Sequence, residues 1–244
     1  MLAERYFEAL FATLRTLRES QLESIDQAAA MVVESVTEGG VIHLFDTGHM
    51  LEREAVHRAG GLVMVTPFHF ALDLSNPARP RPGDAGASAD DVIGLVRYAL
   101  ASSRVRSGDV LLIGSVSGRA AVPIELALQA RALGVKVVAL TSIAYSRLAE
   151  VQHSGGKRLY EVADLALDYV GPIGDAALEV EGVETGVCPT SGIVAATIIW
   201  ALTAQIVERL LSKGLTPHVF RSVNLPDGTA FNDRQRREYE RLGF

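Results

Sequence analysis

Apolar residues recur at helical spacing from Leu2 to Val36, with Leu10, Leu14, Leu17, Ile25, Ala29, Val32 and Val33 on one stripe, until Gly39-Gly40 breaks the pattern. The stripe predicts one long helix, or two in tandem, over residues 1–38. The short run Val41 to Phe45 reads as a strand. A helix from about Met50 to Ala59, closed by Gly60-Gly61, and a second strand from Leu62 to Val65 then start a βαβ rhythm. A helix (Val92 to Leu100), a strand (Val110 to Gly114), a helix (Ala121 to Leu133), a strand (Val135 to Leu140) and a last strand (Leu165 to Val170) continue it. The helix predicted from Pro189 to Leu211 is hydrophobic on more than one side, which implies burial against both the sheet and a partner subunit. A charged helix near Asn232 to Leu242 ends the chain.

Strands and helices that alternate with short connections predict an α/β fold, a three-layer sandwich around a mostly parallel central sheet with right-handed crossovers. The exception is residues 66–90, rich in proline, glycine, alanine and aspartate, which read as a long loop. Neither an internal repeat nor a linker divides the chain. It is expected to be a single domain, 1–244, with an N-terminal helical segment (1–38), the 66–90 loop and a C-terminal extension (215–244).

Composition narrows the function classes. With 48% hydrophobic and 21% charged residues the chain has the balance of an ordinary globule with a substantial core. A net charge of -6 argues against non-specific nucleic-acid binding, which requires a basic surface. The single cysteine, Cys188, permits no internal disulfide and no zinc spacing, and reads as a small buried residue. Glu4, Arg5 and Glu8 interrupt the apolar N-terminus, so no signal-peptide core forms, and the longest apolar run, Ile193 to Leu202, falls short of the roughly 20 residues of a membrane span. The expectation is a cytoplasmic protein with no membrane partner.

Candidate chemistry gathers where strands turn into helices. Ser115-Val116-Ser117-Gly118-Arg119 stands between the run Val110 to Gly114 and an alanine-rich helix. Such a turn offers hydroxyls and free backbone N–H groups at the positive end of a helix dipole, a set suited to a phosphate or another anion. Asp46-Thr47-Gly48-His49 follows the first strand, and Thr141-Ser142 follows the strand ending at Leu140. In a parallel sheet all three turns fall on the carboxyl edge, where open α/β folds bind ligands, although Ser and Thr are also ordinary helix caps.

Taken with these turns, several segments resemble the SIS (sugar isomerase) domain family, most closely its stand-alone members related to phosphoheptose isomerases. They are Gly39 to His49, Arg58-Ala59-Gly60-Gly61-Leu62, Ser117 to Glu125, His153 to Glu161 and Gly174 to Glu179. The resemblance implies a flavodoxin-like sandwich that binds a phosphosugar or similar carbohydrate derivative. Thr47, Ser115 and Ser117 would hold the phosphate, and Gly48, His49, Arg119, Thr141 and Ser142 would join them around the turns. A further SIS pattern is similar to Glu184 to Ser191, so that Thr190 and Ser191 would line the sugar. The chain departs from the family at Asp46, where glycine is usual, in a shortened first loop, and at Ala120, often threonine; each change removes a donor or adds negative charge beside the phosphate.

Aldose–ketose isomerisation needs a base that moves a proton between adjacent carbons and neither a redox cofactor nor a metal. Glu54 and Glu184 are the carboxylate candidates, and His57, three residues from Glu54, would share its helical face. His43 alternates with Ile42 and Leu44 and reads as a satisfied core residue. The expected function is therefore binding of a sugar phosphate, with isomerisation as the activity and a non-catalytic sugar-phosphate sensor as the alternative. Because an SIS crevice is typically completed by a neighbouring subunit, a homodimer or larger homo-oligomer is expected. A nucleotide-binding reading is weaker, since no glycine-rich dinucleotide or P-loop pattern follows a strand.

Overall fold

Five parallel strands, in the order β2-β1-β3-β4-β5, frame the computed structural model. They are β1 (Ile42–Asp46), β2 (Val65–Pro67), β3 (Val110–Gly114), β4 (Lys136–Thr141) and β5 (Leu165–Asp168). Residues 1–48, 51–73, 75, 77–79, 81 and 89–244 are described. The helices are α1 (Leu2–Thr37), α2 (Leu51–Ala55), α3 (Ala89–Ala101), α4 (Ala121–Ala132), α5 (Ile143–Leu148), α6 (Leu159–Val162), α7 (Ser191–Ser212) and α8 (Gly228–Leu242). This strand order is the flavodoxin-like one, whose direction reverses between β1 and β3.

Each strand alternates between two cores. Ile42, Leu44, Val110, Leu112, Val138, Leu140 and Leu167 pack with α1, α2 and α7, whereas Phe45, Leu111, Ile113, Val137 and Ala139 pack with α3, α4 and α6. The N-terminal stripe forms one continuous helix of 36 residues, about 54 Å long at 1.5 Å per residue. Asp26 clamps α1 to α7, accepting hydrogen bonds from Arg209 Nε at 2.9 Å and Gln205 Nε2 at 2.8 Å. The Arg209 guanidinium holds the Asp26 carboxyl below the usual carboxylate range. Helix α7 is the one described helix long and apolar enough to cross a membrane, yet its Val194, Ile198, Leu202, Ile206 and Leu210 lie in the core against the sheet and α1.

Several boundaries differ from the sequence expectation. Leu62 to Met64 are buried but do not form the second strand. Leu62 bridges Val219 in antiparallel fashion, Val63 N donates to His218 O at 2.9 Å, and β2 starts only at Val65. The C-terminal extension thus supplies the partner for a segment that looked like sheet. Helix α2 stops at Ala55, four residues early, because His57 adopts a left-handed conformation with φ 57°. Within 66–90, residues 68–73, 75, 77–79 and 81 belong to no helix or strand, while β2 reaches Pro67 and α3 begins at Ala89. The short helices α5 and α6 had no counterpart in the periodicity.

Candidate functional site

The turns after β1 and β3 meet at the point where the strand order reverses. Asp46 pairs in register with Gly114, and both Thr47 N and Thr47 Oγ1 donate to Gly114 O, at 3.1 and 3.2 Å. Ser115 N donates in turn to Leu140 O at 3.0 Å, so Thr47 and Ser115 sit on adjacent strand ends. Three carbonyls of the following turn are engaged from behind: Val116 O by Ser142 N and Thr141 Oγ1, Gly118 O by Leu159 N, and Arg119 O by Gln152 N. Gly118 has φ 57°, and a methyl group there would lie 2.8 Å from Thr141 Oγ1 and 3.1 Å from Ser146 Oγ. Only glycine fits both the conformation and the space.

With these acceptors tied down, the turn presents donors. Among the described residues, the backbone N–H groups of Arg119, Ala120, Ala121 and Val122 meet no acceptor, and Ala120 caps α4 without a side-chain bond. The hydroxyls of Ser115 and Ser117 and the Arg119 guanidinium likewise make no hydrogen bond. A run of unpaired N–H groups at the start of a 12-residue helix carries partial positive charge.

Beside this turn opens a cleft of about 680 Å³, lined by Gly48, Leu51, Glu54, Asp175, Ser191 and Trp200 among others. Glu54 Oε1 accepts from Trp200 Nε1 and from Arg58 Nη2, both at 3.1 Å, so two donors orient the carboxylate. At the far wall Asp175 caps α7, accepting from Thr190 N at 3.1 Å, Ser191 N at 2.8 Å and the Ser191 hydroxyl. Asp175 reaches them from a left-handed conformation, φ 57°, sparsely populated for a residue with a side chain. Asp46 accepts from Leu51 N at 3.0 Å and so starts α2. Beneath lies Tyr169, whose hydroxyl is pushed far up by burial and further by the charges of Asp46 and Asp175. Donors therefore concentrate at α4 and carboxylates at α2 and α7.

Of the residues expected from sequence, the structure gathers Thr47, Gly48, Ser115, Ser117 and Arg119 along the two turns, with Glu54 and Ser191 in the adjoining cleft. Thr141 and Ser142 lie on the same edge, but both are buried and committed to the fold: Thr141 donates to Val116 O, and Ser142 Oγ caps α5 by accepting from Tyr145 N at 3.3 Å. Thr190 is fully buried beside Gly171, and its hydroxyl has no partner. His57 does not share a helical face with Glu54; it is exposed, its ring edge-on to Phe220 with centroids 5.6 Å apart. Glu184 is exposed near the tip of a hairpin closed by the Leu178–Val187 bridge and does not line the cleft. His49 lies outside the described residues. Cys188 is exposed, not buried, because the same hairpin stands clear of the core.

Sequence reasoning missed Asp175, Trp200 and Tyr169. Asp175 fell inside a family-like segment, but its role as cap depends on a left-handed turn and on partners 15 and 16 residues away. Trp200, the sole tryptophan, read as one more apolar position of α7.

A family model described as SIS domain matches residues 5–142. Full-length relatives include the UPF0309 protein of Shouchella clausii, 38% identical over 233 residues and covering 94% of this chain and 93% of that protein. The UPF0309 protein of Streptomyces griseus subsp. griseus is 37% identical over 244 residues, covering 98% and 95%. Among solved structures, the phosphoheptose isomerase of Neisseria gonorrhoeae superposes with a TM-score of 0.52 at 20% identity, covering 87% of this chain and 100% of that one. That of Francisella tularensis gives 0.50 at 19% identity, covering 84% and 95%. At these identities the likeness extends to the fold.

Proposed function

Since the chain belongs to the SIS domain family, we propose that it binds a sugar phosphate on the carboxyl edge of its sheet and isomerises it between aldose and ketose forms. The observation that carries this reading is the donor set at the start of α4. Among the described residues, the Ser115 and Ser117 hydroxyls, the Arg119 guanidinium and the N–H groups of residues 119–122 meet no protein acceptor, on the strand end next to Thr47 and Gly48. A phosphate monoester supplies the acceptor oxygens such a set requires.

With the phosphate at α4, the sugar extends into the cleft toward Glu54. The Trp200 and Arg58 bonds both fall on Oε1, which leaves Oε2 to take the proton from the carbon beside the carbonyl. In the resulting enediolate the proton of the adjacent hydroxyl passes to the former carbonyl oxygen, and Glu54 returns its proton to the former carbonyl carbon, so the carbonyl moves by one position with no net change in oxidation state. No cofactor and no metal enter this step. Ser191 stands at the wall where the sugar hydroxyls would lie, whereas Thr190, Glu184 and His57 lie outside the cleft lining, so Glu54 is the base in this reading.

The same reading places the protein in the cytoplasm as a homodimer. Leu2, Phe7 and Phe11 of α1 and Ile193 of α7 are each about half exposed, a set of large apolar side chains suited to cover by a second copy. A monomer by light scattering at micromolar concentration would remove that part. A second reading, a sensor that binds without turnover, is favoured by Asp46 and by the commitment of Thr141 and Ser142 to the fold.

One experiment separates these readings. A panel of sugar phosphates is screened by thermal shift, and any stabilising compound is incubated in deuterated water with wild type, Glu54→Gln and the Ser115→Ala/Ser117→Ala double variant. The isomerase reading expects stabilisation that the double variant loses, and deuterium at the exchanging carbon that Glu54→Gln loses. Binding without exchange selects the sensor, and no stabilisation by any member refutes both.

A further inference from the structure

Behind the turn after β3 lies a buried histidine–carboxylate pair that the isomerisation step does not use. His153 Nε2 lies 2.8 Å from Glu125 Oε2, and the two side chains are only 8% and 9% exposed. The other ring nitrogen, Nδ1, accepts from Gly155 N at 3.0 Å. A nitrogen that accepts carries no proton, so the proton of the neutral ring is on Nε2 and is donated to the carboxylate. Glu125 Oε1 accepts from Gln129 Nε2 at 2.6 Å, and the same amide group donates to Ile93 O of α3 at 3.1 Å. Every side-chain polar atom of the pair is thus engaged, about one helical turn from the unpaired amides at the start of α4.

The chain on either side of His153 is what holds those amides from behind. Gln152 N donates to Arg119 O and Leu159 N to Gly118 O, both at 2.9 Å. A peptide unit is planar, with its C=O and N–H opposed, so fixing Gly118 O and Arg119 O fixes the directions of the Arg119 and Ala120 N–H groups. The 152–159 segment has no helix or strand of its own before α6 starts at Leu159. Among the described residues, the bond from His153 to Glu125 is the one hydrogen bond that ties residues 153–157 to the rest of the fold.

We propose that His153, locked by Glu125 and Gly155, is a positioning residue for the phosphate. It anchors the 152–159 segment to α4, so that the Arg119 and Ala120 N–H groups point together at the ligand. This role rests on the sugar-phosphate reading and adds to it a residue outside the cleft lining.

The test titrates inorganic phosphate into the ¹⁵N-labelled full chain and follows the amides of Arg119, Ala120 and Ala121 in wild type, His153→Ala, His153→Gln and Gly155→Ala. Gly155 is exposed, and a methyl group there would lie 3.0 Å from His153 Nδ1 and 3.2 Å from its Cε1, so Gly155→Ala displaces the ring without removing it. His153→Ala should weaken phosphate at least about tenfold and Gly155→Ala several-fold, since misplaced donors bind poorly even when the cause lies outside the site. His153→Gln, whose amide can still donate to Glu125, should stay within about threefold of wild type. With a sugar phosphate that stabilises wild type, His153→Ala should raise KM and leave kcat unchanged, because Glu54 is untouched; a purely structural role would lower Tm and leave KM alone. Wild-type amides that do not respond to phosphate would remove the anion site and this role with it. Saturable wild-type binding matched by equal affinity in His153→Ala, or in Gly155→Ala should His153→Ala fail to fold, would overturn the positioning role alone, as would a fall in kcat at unchanged KM.

Discussion

Replacing Gly118 by alanine places one methyl group where the turn after β3 is most constrained. Two costs add. The left-handed conformation at φ 57° disfavours a Cβ by roughly 1–2 kcal/mol. The new carbon would also lie 2.8 Å from Thr141 Oγ1, 3.1 Å from Ser146 Oγ and 3.3 Å from Leu159 Cβ. Overpacking of that kind costs about 1–3 kcal/mol. The neighbours have little room to give, since Thr141 is held by its bond to Val116 O and Leu159 by its N–H bond to Gly118 O. Together the two costs come to about 3 kcal/mol, which in a chain of this length lowers Tm by roughly 6–12 °C. Scanning calorimetry measures the shift. Ser146 refines the test, because its buried hydroxyl has no partner. Ser146→Ala alone should be neutral or slightly stabilising, and combined with Gly118→Ala it should recover part of the loss. A Gly118→Ala protein melting within about 2 °C of wild type would show that the turn relaxes freely, and the reasoning about its rigidity would fail.

Two further outcomes follow from charge. Asp26 has its carboxyl pKa lowered by the Arg209 hydrogen bond, so its contribution is present above the unfolded carboxyl pKa and is lost as pH falls through the folded one. The stability gap between wild type and Asp26→Asn in urea melts should therefore be widest near neutrality and close in acid; a gap independent of pH would contradict the clamp. Tyr169 is shifted the opposite way, its hydroxyl raised by burial and by Asp46 and Asp175, so its contribution is complete below about pH 10 and falls above it by about 1.4 kcal/mol per pH unit. Ultraviolet titration should find Tyr169 silent until alkaline unfolding, with Tyr169→Phe removing no early-titrating signal; loss of such a signal would refute its burial.

Strands β1 and β3 and helix α4 were legible in the sequence because their apolar runs end at strong breakers, Thr47-Gly48 and Ser117-Gly118, and local pattern decides them. The carboxyl-edge turns could be read for the same reason. What could not be read depends on partners distant in the chain. Leu62 to Met64 carry a strand's pattern but pair with residues 218–220, about 155 positions on, and α2 is cut short by a left-handed His57 that no periodicity signals. The hydroxyls of Thr141 and Ser142 looked available because nothing local shows that Val116 O and α5 consume them. Asp175 stayed hidden because its carboxylate acts on α7 across a hairpin.

That carboxylate has a consequence for whatever enters the crevice. Helix α7 already has a negative group, covalently its own, seated on its leading amides, while the leading amides of α4 have no such tenant. Under the proposed reading, a guest with an acidic head and a neutral tail is expected to settle with its head over β3 and its tail toward Trp200. A compound with acid at both ends would meet repulsion where it expected a second welcome.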